Sequence, residues 1–177
     1  DPTDIATAHL NWALVAESHG QYLSSLEYNF KAMQEFQHLH DTISVSAILN
    51  NIGITYHQLG DYGSSVYYLL KAIELDESRM DTAYVGQEFI NLAEAYFKAK
   101  KLNEAARCIH KAYIDLNLID DEYSLPYATE IWSLILIAKS EYDSAANFIR
   151  LTERLADKHQ NEYLLNRSLE HWGKWHF

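Results

Sequence analysis

The sequence predicts an all-α fold, an α-solenoid of about nine helices that pack as antiparallel pairs. Three observations support this prediction. The 177 residues include only six Gly and two Pro, against roughly 12% in average composition, which leaves too few turn residues for a many-stranded β-protein. Apolar residues recur at helical spacing. The whole pattern repeats with a period of about 40 residues, and internal repeats of such length are typical of solenoids.

The 40-residue period is visible as columns of similar residues. Ala32, Ala72 and Ala112 form one column, with Thr152 in the fourth unit. Three further columns each hold one type of residue. Large apolar residues form the column Trp12, Ile52, Leu92, Trp132 and Trp172, and small residues form the column Ala13, Gly53, Ala93, Ser133 and Gly173. Aromatic or aliphatic residues form the column Tyr22, Tyr62, Leu102 and Tyr142. So many columns do not coincide by chance, and each unit is therefore interpreted as the same structural element.

Each unit is predicted to contain two amphipathic helices. In the second unit, Leu49, Ile52 and Tyr56 are three and then four residues apart, which puts them on one helical face. The small residues Gly53 and Ser65 occupy positions where two antiparallel helices approach closely. The predicted helices span residues 2–18, 22–38, 42–58, 62–78, 82–98, 102–117, 124–138, 142–158 and 162–177.

A capping residue opens each unit. Polar residues suited to the N-cap position recur once per period, at Asp1, Asp41, Asp81, Asp121 and Asn161. Pro2 fits directly behind Asp1, because helix position N1 tolerates proline. Pro126 lies too far behind Asp121 for that arrangement. We therefore expect Ser124 to cap the seventh helix and Pro126 to lie in its first turn.

The period also predicts the domain organisation. We expect one domain with repeats at residues 1–40, 41–80, 81–120 and 121–160, and a partial fifth repeat at 161–177. A solenoid whose last helix is uncovered needs a further helix or a polar cap. The chain is therefore expected to be a piece of a larger polypeptide.

The residues that define each unit resemble the tetratricopeptide repeat family. The second unit has the family's residue types at the family's spacing, namely Leu49, Ile52, Gly53, Tyr56, Ser65, Leu69 and Ala72. The usual period of the family is about 34 residues, so this chain is similar to the long-helix members found in bacterial peptide receptors, kinesin light chains and sensory regions of bacterial signalling enzymes. The resemblance implies a right-handed superhelical solenoid whose first helices line a concave groove. It also implies a protein or peptide partner.

A column of asparagines is the sharpest candidate site. Asn11, Asn51 and Asn91 occupy the same position in the first helix of three units. In peptide-binding members of the family, the side chain at this position points into the groove. One carboxamide can donate to a peptide C=O and accept from its N–H, so the column is interpreted as a peptide-binding ladder. The alternative is that duplication left three idle asparagines.

Neighbouring groove positions are expected to supply specificity, and these are Asn50, Gln87, Glu94, Tyr127 and Glu130.

No catalytic site is predicted, because no acid, base and nucleophile converge. No metal or cofactor is predicted either, since the nine histidines include no HExxH and no pair four residues apart. The single cysteine, Cys108, excludes an intramolecular disulfide and is interpreted as a packing residue.

The net charge of the chain restricts the classes of partner that it is expected to bind. A formal net charge of −11 argues against nucleic acid and anionic membranes as partners of this segment. No run approaches about 18 consecutive apolar residues, and no signal peptide is recognisable. We therefore expect a soluble, cytoplasmic segment.

Two functions are compatible with these features. The first is a non-catalytic peptide- or protein-binding module, the sensing or scaffolding segment of a larger bacterial signalling or regulatory protein. The second is a structural segment whose exposed terminal helix joins two copies as a homodimer and so brings attached catalytic or DNA-binding domains together. Trp172, Trp175 and Phe177 would form that interface. The asparagine column favours the first function, and the apolar end favours the second.

Overall fold

Helices account for the fold of this chain. A computed structural model describes residues 1–79 and 85–173, and these residues form α1 (Pro2–Ser18), α2 (Tyr22–His38), α3 (Thr42–Gln58), α4 (Tyr62–Ser78), α5 (Val85–Lys98), α6 (Leu102–Leu118), α7 (Leu125–Ala138), α8 (Tyr142–Lys158) and α9 (Glu162–Gly173). No strand occurs within the described ranges. The predicted all-α fold of about nine helices is confirmed. No helix in these ranges is long and apolar enough to cross a membrane.

Residues with left-handed backbone conformation end most of the helices. Gly20 and Gly60 have φ values of 70° and 79° in the turns that follow α1 and α3. Glycine suits these turns because it has no Cβ to clash at positive φ. Five other residues adopt the same conformation in the equivalent turns, at His40, Lys100, Asp120, Ser140 and Gln160. These turns recur at regular spacing and reverse the chain, so consecutive helices run antiparallel.

The predicted capping residues lie at helix N-termini. The Asp41 side chain accepts a hydrogen bond from the backbone N–H of Ser44 at 3.0 Å. Asn161 does the same for Leu164 at 3.1 Å. These bonds satisfy backbone donors that have no partner within the helix. Asp81, the cap predicted for the third unit, lies outside the described residues.

The start of α7 differs from the prediction in one respect. Ser124 occupies the N-cap position and Pro126 lies in the first turn, as expected. The Ser124 side chain, however, makes no capping hydrogen bond. Instead, Asp121 Oδ1 accepts from the backbone N–H of Ser124 at 3.0 Å. The carboxylate that caps this segment is therefore Asp121, a member of the periodic column of capping residues. The chain makes an extra turn between Asp121 and the first residue of α7.

The helices pack in chain order as a solenoid. The two helices of each pair make the most extensive contacts, and the second helix of each pair packs on the first helix of the next. The first helices also contact one another directly, α3 with α5, α5 with α7 and α7 with α9. Contacts of this extent do not occur between successive second helices of the described chain. The first helices therefore form the inner layer and line the groove.

Close approach within a pair depends on a small residue. A Cβ added to Gly53 on α3 would lie 2.6 Å from Leu69 Cγ and 2.8 Å from Leu69 Cδ2 on α4. Leu69 is only 1% exposed, so it cannot move aside without disturbing the core. The third unit has Ala93 and Ile109 at these two positions, buried in one cluster. The small residue is thus matched to the shape of the aliphatic residue opposite, since Leu and Ile have the same number of atoms and differ in where they branch.

Replacing Gly53 with Ala tests this match. Helix propensity alone predicts that Gly53→Ala stabilises the protein by about 1 kcal/mol. We expect the opposite sign, a loss of about 1–2 kcal/mol in the free energy of unfolding, because the new methyl group overpacks the contact with Leu69. Urea denaturation followed by circular dichroism measures this change.

The double variant Gly53→Ala/Leu69→Ile is the matched control, since it reproduces the Ala93 and Ile109 pair of the third unit. It should recover at least half of the lost stability. Equal losses of stability for the single and the double variant would contradict this match of shapes.

A buried polar pair marks the first unit. Asn29 is 0% exposed and occupies the column that elsewhere holds Leu69, Ile109 and Ile149. Its Nδ2 donates to Ser25 Oγ at 3.3 Å, while its Oδ1 has no hydrogen-bond partner among the described residues. A buried polar atom without a partner costs stability.

Replacing both members of this pair should stabilise the protein. Ser25→Ala/Asn29→Ile reproduces the Ala and Ile found at the same positions in the third and fourth units. We expect the free energy of unfolding to rise by about 1–2 kcal/mol, because the unpaired buried oxygen disappears. Ser25→Ala alone should lower it, since Asn29 then also loses its acceptor. A double variant less stable than the unmodified chain in denaturant titrations would refute this account.

Candidate functional site

Three amide side chains form a hydrogen-bonded network between α3 and α5. Asn91 Nδ2 donates to Asn50 Oδ1 across the two helices at 3.0 Å. Gln87 Nε2 donates to Asn91 Oδ1 at 3.4 Å, one turn away on α5. All three residues are half-buried on the inner layer. We call Asn50, Gln87 and Asn91 the amide network. The Asn50 amino group and the Gln87 carbonyl oxygen take no part in these two bonds.

A cavity of about 230 Å³ adjoins the amide network. Its lining combines residues of α3, of the end of α4 and of the start of α5, namely Ile43, Ala47, Asn50, Asn51, Asp76, Arg79, Gln87 and Glu88. Arg79 forms an ion pair with Asp76 and donates from Nη1 to the carbonyl oxygen of Thr42 at 2.9 Å. The end of α4 is thereby attached to the start of α3. The cavity lining therefore combines amide side chains with charged groups.

The hydrogen-bonded set differs from the asparagine column. Of the column, only Asn91 joins the amide network, and its partner is Asn50 rather than Asn51. Asn51 is half-buried and lines the cavity. Asn11 is exposed on α1. The pairing of Asn91 with Asn50 has a simple cause. A contact between neighbouring inner helices joins residues at different positions of the two units, so it does not join two members of one column. The binding roles of Asn11 and Asn51 stay predictions.

Two carboxylates and a guanidinium meet where α5, α7 and α9 converge. Glu130 on α7 is 2% exposed, and its Oε1 lies 2.6 Å from Arg167 Nε on α9. The contact has the distance of an ion pair but lacks the geometry of a hydrogen bond. Glu94, half-buried on α5, acts electrostatically on both groups. The sequence had predicted Glu94 and Glu130 as neighbours in the groove, but not their cation.

Burial controls the protonation of this cluster. It raises the pKa of Glu130 to about 7; the Arg167 charge opposes the shift and the Glu94 charge adds to it. Burial also lowers the pKa of His57 on α3, with Glu94 opposing and Lys98 reinforcing that shift. Around neutral pH the His57 imidazole is therefore uncharged, and Glu130 is close to its titration midpoint.

Tyr127 lies apart from the amide network. It is exposed near the start of α7, where its hydroxyl oxygen accepts from Asn161 Nδ2 at 3.3 Å. It lines a separate depression with Tyr123 and His159. Its contribution to specificity stays a prediction. Trp175 and Phe177 lie outside the described residues, as does the side chain of Trp172, so the self-association surface also stays a prediction.

Sequence reasoning missed Arg167, the residue that neutralises Glu130. The periodicity contained a signal for it. Arg167 lies one period beyond Tyr127 and two periods beyond Gln87, so it occupies the same column as these two predicted groove residues. Arg167 thus continues a column in which the sequence predicted groove residues.

Other reactive groups lie in ordinary environments. Cys108 is half-buried against two core clusters, and burial raises the pKa of its thiol to about 11. Such a thiol is protonated at neutral pH and is a poor nucleophile. Within residues 1–79 and 85–173, no group of three His, Cys, Asp or Glu side chains is arranged to hold a metal ion.

The titration of Glu130 predicts a pH dependence of stability. Its pKa is about 7 in the native state against an ordinary value of 4.5, so between these values the native state binds more protons than the unfolded state. The free energy of unfolding should therefore fall as pH rises from about 5 to 7, by up to about 1.4 kcal/mol per pH unit from this group. Glu130→Gln should remove this component.

Urea titrations at several pH values measure the difference between the unmodified chain and Glu130→Gln. Glu74→Gln is the control, because Glu74 is an exposed glutamate on α4. A pH profile unchanged by Glu130→Gln would contradict the prediction.

Comparisons with known proteins agree with this architecture. Residues 4–78 match the tetratricopeptide repeat family profile. The chain is 32% identical over 87 residues to the sol locus transcriptional repressor of Clostridium acetobutylicum, covering 45% of this chain and 27% of that protein. Aspartyl phosphate phosphatase F from Bacillus subtilis superposes with a TM-score of 0.89 at 15% identity, covering 95% of this chain and 44% of that one.

A second solved structure contains a named repeat sensor. The signal transduction ATPase with numerous domains from Pyrococcus horikoshii, described as having a tetratricopeptide repeat sensor, superposes with a TM-score of 0.80 at 17% identity, covering 89% of this chain and 24% of that one. The chain thus spans about a quarter of the curated relative and less than half of either solved chain. At these identities the superpositions show the fold alone. Residues 4–78 therefore belong to the tetratricopeptide repeat family, and the helices described beyond them continue the same solenoid fold.

Proposed function

We propose that this chain is a non-catalytic module that binds an extended protein or peptide segment along its concave groove. We further propose that it serves as the sensing or scaffolding part of a larger signalling or regulatory protein. The observation that carries this proposal is the amide network between α3 and α5, with the adjoining cavity.

Neutral amides suit the recognition of a peptide backbone. A carboxamide has two donors and one acceptor oxygen, so it can pair with a peptide C=O and N–H at once. In the amide network the Asn50 Nδ2 group and the Gln87 Oε1 atom remain to supply one donor and one acceptor to a ligand. Because the bonds within the network already fix the side chains, little rotamer entropy is lost on binding.

The positions of these amides also argue for a use. An asparagine in a helix interior costs about 0.5 kcal/mol relative to alanine, and Asn50, Asn51 and Asn91 all lie within α3 or α5. Neighbouring inner helices are about 10 Å apart and an extended segment advances about 3.3 Å per residue. Each step from one inner helix to the next therefore corresponds to about three residues of the bound segment.

The compared proteins support a regulatory setting. One relative is named a transcriptional repressor, and the sensor in the archaeal ATPase has the same kind of repeat. The alignment with the repressor spans 87 residues, about a quarter of its length. The processes that these proteins regulate are not carried over to this chain.

Removing two amides tests the proposal. A phage-displayed library of random dodecapeptides is selected on the unmodified chain, and the dissociation constants of the recovered peptides are measured by isothermal titration calorimetry. Asn50→Ala/Asn91→Ala should weaken binding by about tenfold or more, since the Asn50 donor to the ligand is lost and Gln87 loses the Asn91 partner that positions its acceptor.

The matched control is Asn103→Ala/Asn147→Ala, which removes two exposed asparagines from the outer helices α6 and α8. This variant should bind the peptides as the unmodified chain does. Equal affinities for both double variants, with unchanged circular dichroism spectra, would overturn the proposed use of the groove.

A further inference from the structure

Glu94 and Glu130 place two carboxylates on neighbouring inner helices, and among the described residues the cation paired with Glu130 is Arg167. We propose that these two carboxylates form a subsite for a cationic side chain, arginine or lysine, of the segment bound in the groove, and that Arg167 occupies this subsite in the free protein. This inference rests on the proposed groove function and specifies the chemistry of its partner.

The burial of Glu130 is the first argument. The side chain is 2% exposed, and Oε1 has no hydrogen-bond partner among the described residues, although Arg167 Nε lies 2.6 Å away. A buried carboxylate is stabilised by a charged donor in good hydrogen-bond geometry. Arg167 supplies the charge without the geometry. A ligand guanidinium or ammonium that approaches along the lone pairs of Oε1 would satisfy the carboxylate better.

The balance of charge is the second argument. Glu94 and Glu130 together carry two negative charges when ionised, and the cation paired with Glu130 is Arg167. The nearby His57 is uncharged at neutral pH, because burial lowers its pKa. Lys98, which acts on His57, is exposed on the last turn of α5, so solvent screens its charge. The centre of the cluster therefore favours a cation over a neutral or anionic group.

Arg167 has the features of a removable occupant. Its side chain is 32% exposed, far more than that of Glu130. Besides the ion pair, its Nη1 donates to the hydroxyl oxygen of Tyr163 at 2.8 Å, one turn earlier on α9. The guanidinium also lies 5.3 Å from the centre of the Tyr163 ring. Tyr163 can retain the guanidinium after it leaves Glu130, which lowers the cost of displacement.

The subsite is continuous with the amide network. Glu94 follows Asn91 by three residues and Gln87 by seven on α5, so the three side chains share one helix face. Glu130 lies on α7, the next inner helix. A segment whose backbone contacts the amide network would reach the carboxylates about three residues further on. The expected partner therefore carries a basic residue at that separation.

A single amino acid tests the subsite independently of any peptide. N-acetyl-arginine amide is titrated at pH 8 into the Arg167→Ala variant of the full chain, and binding is followed by chemical-shift changes in ¹⁵N-HSQC spectra. N-acetyl-citrulline amide has nearly the same shape without the charge. Arginine amide should bind about tenfold more tightly than the citrulline compound, as expected for a charge-assisted hydrogen bond. Glu94→Gln/Glu130→Gln/Arg167→Ala should lose this preference.

The unmodified chain provides a second measurement, in case Arg167→Ala does not fold. The Arg167 Nε–H resonance should move towards the position of a solvated guanidinium as N-acetyl-arginine amide is added, and Glu130→Gln should abolish that movement. Equal binding of the arginine and citrulline compounds, or an Arg167 resonance that does not respond, would overturn the proposal.

Because Asn50→Ala/Asn91→Ala leaves the carboxylates in position, it should not alter arginine amide binding. Failure of the amide network and failure of the subsite are thus separate outcomes.

Discussion

The approach of two helices at one small residue sets the geometry on which the other features depend. Gly53 allows α3 to touch α4 through Leu69, and a single methyl group would overlap that contact. Repeating small residues in this column brings each helix pair together in the same way, so the pairs stack at a constant offset. Left-handed residues such as Gly60 reverse the chain within the short turns between helices. Core packing rather than hydrogen bonding between helices thereby fixes the solenoid.

The constant offset between pairs determines which polar side chains meet. Inner helices contact one another directly, so polar groups on their facing sides leave water together and must find partners. The Asn50 and Asn91 side chains meet this requirement with a hydrogen bond to each other between α3 and α5. The same packing that holds the solenoid together therefore prepares a row of oriented amides. Preorganised groups of this kind bind a ligand with a smaller loss of conformational entropy.

Charge is distributed along the groove according to burial. The amides lie between α3 and α5, while the carboxylates Glu94 and Glu130 lie one step further, where Arg167 reaches in from α9. Burial makes ionisation of Glu130 costly, and the pKa rises even though a guanidinium lies beside it. The groove thus combines a section of neutral amides with a section of partly buried carboxylates. Under the proposed function, the first section would contact the backbone of the bound segment and the second a basic side chain.

The sequence by itself determined the all-α class, most of the helix boundaries to within a residue, and the alternation of inner and outer helices, because one regular period repeats every local signal: caps, turns, apolar faces and small residues. It also predicted Asn50, Gln87 and Glu130 as groove residues. Only the tertiary structure decided that Asn91 pairs with Asn50 rather than continuing a column with Asn51. It likewise decided that Arg167 neutralises Glu130. Periodicity aligns equivalent positions, whereas contacts between stacked units join non-equivalent ones, and that register depends on how helices pack in three dimensions.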